Sequence, residues 1–129
     1  FVIATGVTRS VREFVDASAS CLGITLEWHG SGLDETASVV KVDASIKSIS
    51  DEHLLGKTII RVDANYFRPA EVDSLLGDAS KAKKQLDWES TTEFSSMVDE
   101  MVSYDLDKAR RFLLLKEKGF SLDLSDEWN

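Results

Sequence analysis

The strongest constraint on the fold is a capped helix followed directly by a strand within the first 28 residues. Ser10 and Glu13 have the spacing of a capping box, in which each side chain can bind the other residue's backbone amide. Apolar residues then recur at helical spacing up to Gly23, which is suited to end the helix. Residues 24–28 alternate apolar and polar side chains, and an apolar run at 2–4 precedes the helix. The sequence therefore predicts a strand, a helix and a second strand, joined by a right-handed crossover into a parallel sheet.

Further strands and a short helix are expected in the middle of the chain. Residues 29–38 are polar and contain glycine, which favours a loop. Residues 39–42 and 58–62 are rich in branched apolar residues and are predicted to be strands. A short helix is expected over residues 80–86, with Asp78 or Ser80 as its cap. Together these elements predict a small mixed α/β domain.

The longest predicted helix occupies the C-terminal part of the chain. A second capping box spans residues 90–93, and Gly119 is suited to end the helix or its continuation. Residues 1–119 are therefore expected to form one domain, followed by an acidic and loose tail over residues 120–129.

The overall composition excludes several classes of partner. The formal net charge is −8, which repels both nucleic acid and anionic lipid. No apolar run approaches the roughly 20 residues of a membrane helix. Cys21 is the only cysteine, so no internal disulfide can form, and a cytoplasmic location is expected. Because the chain begins inside an apolar run without Met, we expect it to be a piece of a longer protein.

The residues with catalytic or metal-binding potential do not form a site by their spacing. The sequence contains no glycine-rich dinucleotide fingerprint and no phosphate-binding P-loop. His29 and His53 lack the spacing of metal ligands, and a solvated position is the expectation for both. Cys21 falls near the inner face of the first predicted helix and is expected to act as a small buried hydrophobe. No catalytic residue, metal site or cofactor site is predicted within this chain.

One segment has the chemistry of a binding site. Pro69 restricts the backbone of Arg68, which gives the arginine side chain a defined direction, and Glu71 can lie near the same edge. A guanidinium makes charge-assisted bonds with a diphosphate, and a carboxylate accepts hydrogen bonds from two ribose hydroxyls. The residues alone also allow a surface ion pair between Arg68 and Glu71, which would contribute about 0–1 kcal/mol.

Five short motifs in a fixed order resemble the C-terminal part of extended short-chain dehydrogenases and reductases that act on nucleotide sugars. The motifs are Ile3-Ala4-Thr5-Gly6, Ser10-Val11-Arg12-Glu13-Phe14, Arg68-Pro69-Ala70-Glu71-Val72, Gly77-Asp78-Ala79-Ser80-Lys81-Ala82 and Leu86-Asp87-Trp88. The particular residues of the first three motifs are similar to those of the GDP-mannose 4,6-dehydratase family.

This resemblance implies a substrate-binding domain of a lyase that acts on GDP-mannose. In such enzymes the arginine of the Arg-Pro motif contacts the diphosphate and the acid contacts the ribose, which assigns these roles to Arg68 and Glu71. Arg12 is a possible further anion contact by the same comparison, or simply a solvated residue of a capped first turn. The implied reaction oxidises the sugar at C4 with bound NADP, eliminates water and yields GDP-4-dehydro-6-deoxy-mannose.

The same resemblance implies that the reacting groups lie outside this chain. The Rossmann domain, with its NADP site and catalytic residues, is expected upstream in the same polypeptide, so the fragment alone is expected to be inactive. The parent enzyme is expected to be a homo-oligomer. Tyr104 and Lys108 match the family's catalytic spacing but lie in the last helix, so we interpret the match as chance.

Two residues depart from the family pattern, and two alternative assignments of the chain stay open. Asp87 stands where many relatives have glycine, and Glu89 stands where many have a basic residue. The chain could instead belong to another nucleotide-sugar epimerase or reductase. It could also be a binding module without catalytic activity.

Overall fold

The computed structural model describes residues 1–47, 53–67 and 75–120. Within those ranges the elements are helix α1 (Val11–Cys21), strands β1 (Ile24–His29), β2 (Thr36–Val42) and β3 (Thr58–Arg61), and helices α2 (Ser80–Leu86) and α3 (Phe94–Glu117). A single 3₁₀ turn over Gly32–Asp34 lies between β1 and β2. The described part of the chain is a small mixed α/β structure, as predicted.

Helix α1 begins and ends where the sequence predicts. The Ser10 hydroxyl accepts the Glu13 N–H at 3.1 Å, and the Glu13 carboxylate accepts the Ser10 N–H at 2.7 Å, so the capping box is complete. Gly23 follows the helix with a φ of 75° and donates its N–H to the Ser20 carbonyl. A Cβ at Gly23 would lie only 2.5 Å from the carbonyl oxygen of Asp43, so this position requires glycine for two reasons.

The sheet is antiparallel, so the predicted parallel crossover was wrong. Its strand order is β1-β2-β3, and both neighbouring pairs run in opposite directions. β1 pairs with the strand that follows it, because a connection of a few residues suits an antiparallel pair. Residues 2–4, the predicted first strand, form no strand with any described residue. Val2 and Ile3 are instead 51% and 60% exposed.

Strand β2 starts earlier than the sequence predicts. Residues 36–38 belong to the loop predicted over residues 29–38, but Thr36 pairs with His29 and Ala37 is fully buried. Each strand pair also contains one irregularity, which leaves Val40 and Ile59 as extra, exposed residues. The predictions for residues 24–28, 39–42 and 58–62 are otherwise confirmed.

A small core lies between α1 and the sheet. Ala19, Ile24 and Val39 are buried together. The partly buried side chains around them are Leu22, Leu26, Val42 and Leu54. The cluster confirms the alternation predicted for residues 24–28, but the helical spacing predicted for α1 only in part, because the buried α1 residue is Ala19 and Val11 is 81% exposed.

Helix α3 packs against α1 but does not begin with the predicted capping box. The helix starts at Phe94, and Glu93 is its cap residue without a side-chain hydrogen bond. The Phe14 and Phe94 rings meet edge to face with centroids 6.3 Å apart, and Val98 is fully buried. The C-terminal prediction is confirmed, since Gly119 has a φ of 83° immediately after the helix.

The connection between β2 and β3 is attached to α3 through Lys47. The Lys47 ammonium donates to Asp99 Oδ1 at 2.9 Å and to the Ser103 hydroxyl. The Lys47 carbonyl accepts from the Arg110 guanidinium. Sheet, α1 and α3 are thereby held together, while residues 1–8 and 75–90 contain few fully buried side chains.

Candidate functional site

The two residues with the strongest binding prediction, Arg68 and Glu71, lie outside the described residues. The structure does describe both flanks of their segment. Tyr66 closes a turn by donating its N–H to the Asp63 carbonyl at 3.1 Å. On the other side, the Leu75 carbonyl accepts the Thr8 hydroxyl at 3.0 Å, which joins this flank to the N-terminal segment. The roles of Arg68 and Glu71 therefore stay predictions.

A cleft of about 230 Å³ lies beside this second flank. It is bounded by three of the motif segments, of which the first is far in sequence from the other two. The lining residues are Ala4, Thr5 and Gly6, then Gly77, Asp78, Ala79, Ser80 and Lys83, and finally Trp88, Glu89 and Ser90. The structure thus brings together motifs that the sequence could only place in order along the chain.

Close packing at Gly77 joins the N-terminal segment to the stretch before α2. A Cβ built on Gly77 would lie 2.5 Å from the Ala4 Cβ and 3.4 Å from the Val2 side chain. The two segments can therefore approach this closely only because residue 77 has no side chain. The glycine serves the packing of the cleft.

Asp78 organises the start of α2 at the edge of the cleft. Its carboxylate accepts the Ser80 amide at 2.8 Å, although the helix cap position itself is Ala79. The Ser80 hydroxyl and amide lower the pKa of Asp78 below its usual value, so the carboxylate is ionised at neutral pH. The predicted helix over residues 80–86 is confirmed, but the predicted cap, Asp78 or Ser80, was wrong, because the cap residue is Ala79 without a side-chain cap hydrogen bond.

Of the two residues expected to depart from the family pattern, Asp87 caps the end of α2 and Glu89 lines the cleft. Asp87 ends α2 in the left-handed conformation, with a φ of 52°, which is a conformation that favours glycine. Glu89 forms an ion pair with Lys83 at 2.8 Å. The acidic residue therefore balances a lysine that is exposed on α2.

The charges described around the cleft do not by themselves favour an anionic ligand. Lys83 is the one cation among the lining residues, and it is paired with Glu89 while Asp78 lies nearby. The hydroxyls of Thr5, Ser80 and Ser90 offer hydrogen bonds to a polar group. A diphosphate would therefore require further cations.

Arg12, the third predicted residue, makes contacts that fix its position. Its Nη2 donates to Glu35 Oε1, and its guanidinium carbon lies 4.9 Å from the centroid of the Trp28 ring. The Trp28 indole N–H donates in turn to Asp16 Oδ1 at 2.8 Å. Half of the Arg12 side chain is nevertheless exposed.

Sequence reasoning did not single out Trp28 or Glu35 as partners of Arg12. Trp28 was visible as an apolar position of the predicted strand. The approach of Glu35 was not visible, because it depends on how the connection between β1 and β2 passes α1.

A second groove, of about 400 Å³, shares Thr5 and Ser90 with the cleft. It lies between the starts of α1 and α3. Arg9 spans it, since its guanidinium pairs with Glu13 at 3.2 Å and lies 5.0 Å from the Phe94 ring centroid. The Ser10 amide, and after it the Arg9 side chain, lower the pKa of Glu13.

The structure also describes the surroundings of the two histidines, the cysteine and the Tyr104–Lys108 pair. His29 is exposed with Glu27 at 3.6 Å, His53 is exposed, and Cys21 is half-buried. Within the described ranges, no group of three or more His, Cys, Asp or Glu side chains could hold a metal ion. The Lys108 ammonium lies 5.8 Å from the Tyr104 ring centroid, as a cation–π contact within α3.

Comparison with known proteins identifies the family. The model of the GDP-mannose 4,6 dehydratase family matches residues 1–101. That range includes the whole cleft lining and the three predicted binding residues. The chain belongs to the GDP-mannose 4,6-dehydratase family.

Individual family members match the chain closely. It is 50% identical over 127 residues to the GDP-mannose 4,6-dehydratase of Vibrio cholerae serotype O1, across 98% of this chain and 33% of that protein. Identity to the enzyme of Yersinia enterocolitica serotype O:8 is 47% over 131 residues, again across 98% and 33%. Identity to the Homo sapiens GDP-mannose 4,6 dehydratase is 39% over 110 residues, across 85% and 26%.

The chain therefore spans about a third of the length of the bacterial relatives that it matches almost throughout. The predicted resemblance to GDP-mannose 4,6-dehydratases is confirmed. Among the helices that the structure describes, none is long and apolar enough to cross a membrane.

Proposed function

We propose that this chain is the nucleotide-sugar-binding part of a GDP-mannose 4,6-dehydratase of the extended short-chain dehydrogenase and reductase superfamily. The whole enzyme is a cytoplasmic homo-oligomeric lyase that converts GDP-mannose to GDP-4-dehydro-6-deoxy-mannose with bound NADP. The observation that carries the proposal is the family match over residues 1–101, which includes every motif segment around the cleft.

The proposed substrate contacts are Arg68 and Glu71. Arg68 binds the diphosphate through charge-assisted hydrogen bonds, and Glu71 accepts from the ribose hydroxyls. Two observations support this assignment. The segment that carries them ends at Leu75, which is attached to Thr8 beside the cleft. The cleft itself has few described cations, so a diphosphate there requires an arginine from another segment.

Arg12 is the third proposed contact. Only its Nη2 has a hydrogen-bond partner among the described residues, and a guanidinium carries five N–H donors. The half-exposed side chain can therefore reach a phosphate oxygen while it stays stacked on Trp28.

The described residues do not fit NADP. A dinucleotide site needs a glycine-rich turn between a strand and a helix, where backbone amides face the pyrophosphate. Gly6 precedes α1 but follows no strand, and the space beside Gly77 is filled by Ala4. We therefore assign the cofactor and the reacting groups to the rest of the polypeptide, and we expect the isolated chain to have no dehydratase activity.

Substitution of Arg68 in the full-length enzyme tests the proposal. Arg68→Ala should weaken GDP-mannose binding by roughly 2–4 kcal/mol, because it leaves a bound diphosphate without its partner. This loss corresponds to about 30- to 1000-fold in Kd, measurable by calorimetry. Arg61→Ala, which removes an exposed arginine at the end of β3, is the matched control.

The same titrations distinguish the nucleotide. Competition by UDP- and dTDP-sugars should be weak relative to GDP-mannose if the family assignment extends to substrate choice. An unchanged Kd in Arg68→Ala would contradict the assignment of the diphosphate contact, and equal binding of the three nucleotides would contradict the assignment of the substrate.

A further inference from the structure

We propose that Glu35 forms an ion pair with Arg12 in the ligand-free protein, and that a bound nucleotide diphosphate displaces the Glu35 carboxylate from the guanidinium. Glu35 then acts as a positioning residue that sets the affinity of the Arg12 contact. This inference rests on the proposed function, because it requires the diphosphate to reach Arg12.

Arg12 is held in place by contacts that do not involve Glu35. The complete capping box fixes the first turn of α1, on which Arg12 lies. The stack on Trp28 directs the guanidinium across to β1, and the Trp28 ring is itself fixed by its hydrogen bond to Asp16. Loss of the Glu35 partner would therefore leave Arg12 oriented as before.

Glu35 can release Arg12 without a rearrangement of the backbone. The Glu35 N–H bonds to the Gly32 carbonyl at 3.3 Å, and the Glu35 carbonyl accepts the Val62 N–H at 3.2 Å. Both bonds involve the main chain, so rotation of the Glu35 side chain alone is enough to separate the ion pair. The exchange is a local change of rotamer.

The energies favour exchange. A solvent-exposed ion pair contributes about 0–1 kcal/mol. The exposed fractions of the two side chains are 51% for Arg12 and 21% for Glu35, so water and ligands have access to the pair. Phosphate oxygens bind a guanidinium in a bidentate manner, with stronger hydrogen bonds than a single carboxylate contact supplies. A diphosphate that reaches Arg12 therefore replaces Glu35, and the lost ion pair lowers its net affinity.

A double-mutant cycle in the full-length enzyme tests the exchange. The variants are Glu35→Gln, Arg12→Ala and the double variant, each titrated with GDP and with guanosine. Glu35→Gln should tighten GDP binding by about two- to five-fold, the equivalent of one exposed ion pair. The gain should disappear in the Arg12→Ala background, and guanosine, which lacks phosphate, should bind all variants alike.

Glu27→Gln is the matched control for charge. Glu27 is an exposed residue of β1 whose substitution makes the same change in net charge. Equal gains in Glu27→Gln and Glu35→Gln would show a general field effect and overturn the inference. Unchanged GDP binding in Arg12→Ala would overturn it too, because Arg12 would then make no ligand contact.

The failure of the inference differs from the failure of the proposed function. If Glu35→Gln leaves GDP affinity unchanged while Arg68→Ala weakens it, the binding assignment stands and the exchange is wrong. If Arg68→Ala has no effect, the proposed function fails whatever Glu35 does. Thermal unfolding of each variant separates both results from a loss of folding.

Discussion

Two regions of the described structure differ in how they are held. α1 and the sheet share a buried cluster of Ala19, Ile24 and Val39. In residues 1–8 and 75–90, by contrast, Ala82 is the one apolar side chain classed as buried, and Leu75 is 76% exposed. The first region owes its shape to ordinary packing. The second depends on a few specific contacts, although it contains all of the described residues that line the cleft.

This difference separates stability from binding along the chain. The second region is held by the close approach of Gly77 and Ala4, the Thr8–Leu75 hydrogen bond and the Asp78–Ser80 interaction. None of these contacts belongs to a buried apolar cluster. Substitutions in the first region should therefore unfold the chain, whereas those in the second should mainly change the cleft.

The largest expected effect is in the buried cluster. Ile24→Ala should destabilise the chain by about 2–4 kcal/mol, because it removes buried methyl groups and leaves a cavity. Urea unfolding followed by circular dichroism measures the change. Ile59→Ala, at an exposed irregular position of β3, is the control and should cost much less. Equal losses in the two variants would show that the cluster is not the main source of stability.

The second largest effect is expected where the two regions differ most, at Gly77. Gly77→Ala places a Cβ 2.5 Å from the Ala4 Cβ, so the N-terminal segment must move away. Overpacking of this kind costs about 1–3 kcal/mol. Because both segments are exposed, we expect the loss to appear as faster amide hydrogen exchange in residues 1–8.

A compensating substitution tests the cause of this loss. Ala4→Gly should restore the space, so the double variant Ala4→Gly/Gly77→Ala should regain part of the protection. Full protection in Gly77→Ala alone would mean that the close approach does not hold the segment.

A smaller effect is expected at the start of α1. Ser10→Ala removes the acceptor of the Glu13 amide and should cost about 1 kcal/mol, measured by urea unfolding at pH 7. Ser20→Ala, at an exposed position in the last turn, should be neutral or slightly stabilising, since alanine has the higher helix propensity. The same sign for both would contradict the capping role.

The capping box also predicts a dependence on pH. The Ser10 amide, and after it the Arg9 side chain, lower the pKa of Glu13 from its usual value of 4.5. A carboxyl group with a lowered pKa in the folded state stabilises above its unfolded pKa, and this contribution is lost as the pH falls through the folded value. Glu13→Gln should therefore flatten the decrease in stability below pH 4.5. If Glu13→Gln leaves the decrease in stability at acid pH unchanged, Glu13 does not contribute to that decrease.

Sequence patterns correctly predicted the elements whose determinants lie within a few residues of one another. The capping box of α1, the glycines after α1 and α3 and the helix over residues 80–86 all depend on neighbours in sequence. The same kind of pattern failed for the box at residues 90–93, where the helix starts at Phe94 instead. A capping motif therefore predicts a helix start only where the first residue of the motif is the cap residue of the helix.

Features that depend on distant pairs could not be predicted. Residues 2–4 have a strand pattern but no strand partner in the described ranges, so the parallel pair expected between them and residues 24–28 is not formed, and β1 pairs with β2 instead. The cleft is similar, since the sequence supplied its motifs but not their contact at Gly77. The partners of Arg12 could not be predicted either, because they are also distant from it in sequence. The assignments of Arg68 and Glu71 stay predictions.

The smallest expected effect compares two residues with the same unusual backbone, one in the second region and one in the connection between β2 and β3. Asp87 and Lys47 are the described non-glycine residues with positive φ, at 52° and 51°. The left-handed conformation costs a non-glycine residue about 1–3 kcal/mol. Substitution by glycine removes this cost, but glycine loses more backbone entropy on folding, which offsets part of the gain in stability. Asp87→Gly should therefore raise the free energy of unfolding by up to about 1 kcal/mol, since none of the described hydrogen bonds or ion pairs involves the Asp87 side chain.

Lys47→Gly should differ, although the backbone gain is the same. The Lys47 ammonium donates to Asp99 and Ser103, so its removal detaches the β2–β3 connection from α3 and offsets the relief of strain. Thermal unfolding should rise for Asp87→Gly and stay level or fall for Lys47→Gly. A rise of equal size in both would mean that the Lys47 contacts add no stability. The contrast between a packed region and one held by isolated contacts would then not extend to these loops.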